Sequence, residues 1–189
     1  MKTLCTVVAV LAVAGFVILK YFHIDLKVGT NDTRRIARSP FVEKHLEKPL
    51  PEFTLKDMTG KTIRSQDLVG KRVHLNFWST SCKPCIEEFV ELNRLKAQYA
   101  SDYVFLALAP DDSSRVSRTL RTHALRYQVI PNAGAYLHEL GVDAYPKNFF
   151  VDSHGLIRRI TGGSQKELDG LTLVNSNYRS YKKILDAIE

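Results

Sequence analysis

Apolar positions along the body of the chain follow two rhythms. Val73, Leu75 and Phe77 alternate with their neighbours up to Trp78, and residues 104–109 form an unbroken apolar run, so both segments read as buried strands. Between them, Cys85, Phe89, Leu92 and Tyr99 recur at helical spacing, which predicts a helix from about Cys82 to Tyr99. Residues 113–126 have helical character with a basic outer face. Residues 148–152 and 156–161, on either side of Gly155, read as strand, turn and strand, and a last helix is predicted over residues 175–188. Upstream, Phe53-Thr54-Leu55 alternates, and Asp57-Met58-Thr59-Gly60-Lys61 has the chemistry of a hairpin turn leading to Ile63. Ser65 can cap a short turn through Leu68, ended by Gly70. The order of these elements is a mixed α/β plan with one central sheet flanked by helices.

The N-terminus has a different texture. Residues 4–19 are apolar except for Thr6, and Lys20-Tyr21-Phe22 follow. This run exceeds a typical signal-peptide core and falls slightly short of a full span. The one small-residue cleavage pattern, Ala12-Val13-Ala14, lies inside the apolar core, too early to be cut. Lys20 can snorkel, and Tyr21 and Phe22 suit the interface, so residues 1–24 are read as a transmembrane anchor in preference to a signal segment. Cys5 fits as a small apolar residue of that helix. The bias of Lys20, Lys27, Arg34, Arg35 and Arg38 over Lys2 would by itself place the body in the cytoplasm. A tethered dithiol has its plainest use outside it, and these two arguments conflict. Residues 25–48, polar and mixed in charge, read as a linker, and residues 49–189 as the folded domain.

Composition removes some functions. The net charge is +7, but no run of five or six basic residues and no nucleic-acid-binding motif accompanies it, so nucleic acid is excluded as a partner. A basic surface suits an anionic membrane better. With only three cysteines the chain is no disulfide scaffold, which leaves Cys82 and Cys85 as the one pair in the body.

Two cysteines at this spacing allow a metal site, a structural bridge or a redox couple. Zinc usually takes four ligands, and the six histidines form no helical ligand pair, so no metal ligand is assigned. A bridge closing so short a loop adds little stability. At a helix start, Cys82 would be the exposed nucleophile and Cys85, one turn inward, the resolving thiol. Pro84 has no N–H to lose in a first turn, and Lys83 adds a positive charge nearby.

The segment Leu75-Asn76-Phe77-Trp78-Ser79-Thr80-Ser81-Cys82-Lys83-Pro84-Cys85 resembles the active-site strand and loop of membrane-tethered thioredoxin-like reductases of the TlpA/ResA type. So do the lead-in Pro51-Glu52-Phe53-Thr54-Leu55, with Asp57, Gly60-Lys61 and residues 67–71, and the stretch from Gly141 to Asp152 containing Tyr145-Pro146. The likeness covers residues 49–161 and implies a thioredoxin-like fold with an N-terminal hairpin extension. It also implies a cis Pro146 beside the dithiol, with Trp78, Lys83, Pro84 and Tyr145 shaping contact with substrate. It places the catalytic domain outside the cytoplasm, with thiol- or disulfide-bearing proteins and an upstream electron donor as partners. Apocytochrome c thiols or copper-site assembly are the implied substrates, and the redox-active disulfide is the only cofactor. Asn76 stands where many thioredoxins have a buried Asp. Glu88, three residues past Cys85 and on the same helical face, matches the family's acidic residue, so it is expected to handle the Cys85 proton with a pKa raised by partial burial. Ser81 stands where many relatives have a second Trp, which opens the approach to Cys82. A peroxiredoxin-type thiol peroxidase and a non-enzymatic metal-carrier or partner-binding module are the alternatives. The direction of electron flow stays open, and residues 162–173 have no assigned role.

Overall fold

The structure, a computed structural model, describes residues 39–163, 166–169 and 172–188. The expected anchor at residues 1–24 and the linker as far as residue 38 lie outside the described residues. Among the described residues no helix is long and apolar enough to cross a membrane.

The rest of the expected linker is not a linker. Ser39, whose Oγ accepts from the Val42 N–H at 3.4 Å, and Pro40 at the first helical position start α1 (Pro40–His45). Its Phe41 and His45 rings lie 5.7 and 5.5 Å from the Phe149 ring, and His45 Nε2 is 2.8 Å from the Leu140 carbonyl oxygen. Residues 39–48 therefore belong with the folded body, because two aromatic rings in this polar stretch cover core.

The hairpin of β1 (Thr54–Lys56) and β2 (Thr62–Arg64) follows. Its turn is built on Asp57. Oδ1 accepts from the Thr59 N–H, the Thr59 hydroxyl and the Lys61 N–H at 2.8, 2.6 and 3.0 Å, and Oδ2 accepts from Gln128 Nε2 at 2.7 Å. The Thr59 hydroxyl, then Gln128, hold the carboxyl down at about 2. The turn is thereby fastened to the central sheet. Asp57→Ala is expected to lower stability by about 2 kcal/mol, the worth of a charged acceptor that leaves donors unpaired. A depressed carboxylate stabilises above its unfolded pKa and loses that share as pH falls from 3.8 toward 2. Urea unfolding of wild type and variant should accordingly converge in acid.

A 3-10 turn at Ser65–Leu68 leads into the central elements: β3 (Arg72–Phe77), α2 (Lys83–Glu87), α3 (Phe89–Tyr99), β4 (Tyr103–Leu108), α4 (Ser113–Thr122) and β5 (Gln128–Ile130). Then come α5 (Gly134–Leu140), β6 (Lys147–Val151), β7 (Ile157–Gly162), the hairpin β8 (Lys166–Asp169) and β9 (Thr172–Asn175), and α6 (Asn177–Ala187). The sheet order is β5-β4-β3-β6-β7; β3, β4 and β5 run parallel, while β6 and β7 are antiparallel to their neighbours.

Four features differ from the sequence expectation. β5 is only three residues long and α5 starts at Gly134 without a side-chain cap, so neither carries a periodic signal of its own. The segment from residue 162, without an assigned role, contains the β8–β9 hairpin. The predicted single helix is split at Glu88, whose side chain turns into the core.

Strand alternation divides the core into two layers. Val73, Leu75 and Phe77 of β3, with Leu106, Leu108, Phe149 and Val151, face the hairpin and α5. On the opposite face Phe105, Ala107 and Phe150 meet Phe89, Leu92 and Leu95 of α3 and Tyr181 and Leu185 of α6. That second face also carries His74, Asn76 and Asn148, three wholly buried polar side chains at alternate strand positions.

Candidate active site

β3 ends beneath the dithiol. Cys82 caps α2 and is half-buried, while Cys85 is fully buried; they are joined by a disulfide with Cα atoms 5.3 Å apart. The Cys85 N–H lies 3.2 Å from Cys82 Sγ, so the helix's first turn directs a donor at the outer sulfur. The Tyr145–Pro146 peptide, which leads into β6, is cis. Tyr145 packs half-buried against both core layers, and burial raises its phenol.

Glu88 closes the site from below. It is fully buried, not partly. Oε1 accepts from Asn76 Nδ2 at 2.7 Å; Oε2 accepts from Asn177 Nδ2 at 2.7 Å and from the Tyr181 hydroxyl at 3.3 Å. Burial raises the carboxyl from 4.5 to about 7, against the pull of Asn76, Tyr181 and Asn177, which favour the ionised form. A carboxyl one helical turn past a buried cysteine, poised near neutrality, can take and return a proton.

The AhpC/TSA family pattern matches residues 46–160. The chain belongs to that family. Among its relatives, the thiol-disulfide oxidoreductase ResA of Bacillus thuringiensis subsp. konkukian is 36% identical over 124 residues, covering 64% of this chain and 72% of the relative. The thioredoxin-like protein YneN of Bacillus subtilis is 30% identical over 125 residues, covering 63% and 74%. A thiol:disulfide interchange protein of the thioredoxin family from Chlorobium tepidum superposes with a TM-score of 0.56 at 25% identity, covering 63% of this chain and 88% of that one. This AhpC/TSA member is a thiol-disulfide oxidoreductase with a thioredoxin-like α/β fold.

Other residues expected at the site fall into place differently. Trp78, expected to shape contact with substrate, is wholly buried and edge-on to Phe89 at 5.0 Å, because the end of β3 points it into the α3 layer. Lys83 is exposed and pairs with Glu87 at 3.8 Å, so its charge is largely spent in solvent. Pro84 is exposed on the same turn.

Sequence reasoning missed Asp111. Its Oδ2 accepts from the Thr80 N–H at 2.9 Å and its Oδ1 from the Thr80 hydroxyl at 2.6 Å, which ties the loop before Cys82 to the end of β4. An Asp just past an apolar strand that ends opposite the dithiol strand was the available signal. Asp111→Ala is expected to slow disulfide exchange about ten-fold by loosening that loop. Stopped-flow reduction of a small disulfide would show it, and an unchanged rate would assign Asp111 to stability alone.

Proposed function

We propose that this protein reduces disulfides in partner proteins outside the cytoplasm, tethered by residues 1–24, with Glu88 carrying the proton of Cys85. The observation that carries the reading is a buried carboxyl at about 7, three residues past the buried cysteine of a dithiol whose other sulfur reaches the surface. The Cys82 thiolate attacks a sulfur of the partner's disulfide, forming a mixed disulfide and expelling one partner thiolate. Glu88 accepts the Cys85 proton, and the Cys85 thiolate attacks Cys82 Sγ. The Cys82–Cys85 bridge closes and the partner's second thiolate leaves. Two electrons have passed to the partner, and an upstream dithiol protein must restore them.

The exposed first turn of α2, with Lys83 and Pro84, and the Tyr145-Pro146 segment offer an extended partner strand its contacts. The family resemblance supports apocytochrome c thiols or copper-site assembly as the substrate class. No cofactor beyond the dithiol enters this cycle.

A redox titration of the full chain against glutathione tests the direction. A potential below about −230 mV supports a reductant, whereas a value near −120 mV makes the protein an oxidant and sinks the proposal.

A further inference from the structure

The polar groups on the α3–α6 face of the sheet are more numerous than the exchange reaction uses. β3 sets His74 and Asn76 two residues apart, and antiparallel pairing places Asn148 of β6 opposite Asn76. With Tyr127, Tyr181 and Asn177 they form one buried hydrogen-bonded chain that ends on Glu88.

The directions within this chain follow from its end. An ionised carboxylate only accepts, so Asn76 turns Nδ2 toward it, and the same Nδ2 lies 2.9 Å from Asn148 Oδ1. The Asn148 amide is thereby oriented: its Nδ2 donates to the Tyr181 hydroxyl at 2.9 Å, leaving the Tyr181 O–H to point at Glu88. Asn148 Oδ1 also faces His74 Nε2 at 3.0 Å, which requires the hydrogen on Nε2. His74 Nδ1 then holds a lone pair and accepts from the Tyr127 hydroxyl at 3.0 Å. The imidazole cannot easily turn. It is stacked on Phe150 at 4.4 Å and 9°, with Phe105, Tyr127 and Tyr181 at its edges. Burial keeps it neutral, with its pKa pressed down to about 3.

We propose that His74, held as its Nε2–H tautomer by Tyr127, is a positioning residue for Glu88: it anchors the Asn148 amide so that Asn76 and Tyr181 both turn their hydrogens to the carboxylate. This rests on the role of Glu88 proposed above. Without the His74 donor, Asn148 Oδ1 is held only by the Asn76 Nδ2 that also serves Glu88, so the amide can turn over and take the Tyr181 hydrogen, and Glu88 loses one of its three donors. Its ionised form is then disfavoured. The titratable groups around Glu88 are Cys85 on α2, His74 on β3, Tyr127 entering β5 and Tyr181 on α6; the influences on its carboxyl are burial and the three donors.

The test is a carboxyl 13C NMR titration of the oxidised full chain, in which neither Cys82 nor Cys85 titrates. The signal missing from Glu88→Gln identifies Glu88. In His74→Phe, which keeps the ring stacked on Phe150, its midpoint is expected to move up by about half a unit to one unit, the loss of one charged hydrogen bond. In Tyr127→Phe it should move the same way by less. If Glu88 titrates in the ordinary carboxylate range, the proton-carrier reading fails. If it titrates near neutrality and neither variant moves it, the His74 assignment alone fails. Should His74→Phe not fold, Tyr127→Phe and the wild-type 15N ring spectrum decide, for a His74 that is Nδ1–H at neutral pH overturns the assignment.

Discussion

With Cys85 replaced by serine, the full chain is expected to accumulate mixed disulfides through Cys82 and to release almost no reduced partner. Cys82 is the sulfur a partner can reach; Cys85 is wholly buried and can act only after the mixed disulfide has formed. A serine hydroxyl in that place is too weakly acidic to attack sulfur, so the covalent intermediate stays. Cys82→Ser removes the first attack, and turnover should fall by about a thousand-fold or more with nothing trapped. Non-reducing electrophoresis after incubation with a disulfide-bearing protein reads both results. Trapping by Cys82→Ser in place of Cys85→Ser would reverse the two roles.

Glu88→Gln should slow closure of the Cys82–Cys85 bridge about a hundred-fold near neutral pH, since the proton acceptor is lost. The rate should also lose its dependence on pH around 7, where the wild-type carboxyl titrates. An unchanged profile in the variant would end the proposed role. Stability carries a second signature of the same group. Burial raises Glu88 from 4.5 to about 7, so the folded state keeps a proton that the unfolded state has released. Its favourable share is full below pH 4.5 and is lost as pH rises through 7, a fall of roughly 3 kcal/mol.

His74 opposes this slope. Lowered from 6.5 to about 3, it contributes stability above pH 6.5 that disappears as pH falls. Between pH 4.5 and 6.5 the two slopes run against each other. Glu88→Gln should uncover the His74 slope, so that the stability of the oxidised variant rises with pH across that window relative to wild type. His45, also lowered by burial, contributes equally to both proteins. Urea unfolding across the window would settle the matter, and parallel curves would contradict a raised Glu88.

The parts of the site that were legible in the chain are the local ones. Cys82, Pro84 and Cys85 occupy a single helical turn, and Glu88 follows on the same face, so spacing alone brings them together. Alternation in β3 and the apolar run of β4 likewise announced the sheet. The burial of Trp78 was not legible, because a strand-end aromatic looks the same whether it faces solvent or the opposite layer. Only the packing of α3 shows that it is covered. Phe41 and His45 sat unnoticed in a polar stretch because the surface they cover, Phe149, comes more than a hundred residues later.

The chain by itself therefore determined the redox couple and the mixed α/β plan, since both rest on short-range periodicity and on the chemistry of neighbouring residues. Tertiary structure decided what surrounds the carboxyl. A polar residue in a buried strand, such as His74 in β3 or Asn148 in β6, signals an unmet hydrogen bond but not its partner. Asn76 and Asn148 are 72 residues apart, and Asn177 lies 89 residues from Glu88. Only the antiparallel register of β3 against β6 and the docking of α6 bring those donors within reach, and burial makes such pairing the rule for polar groups.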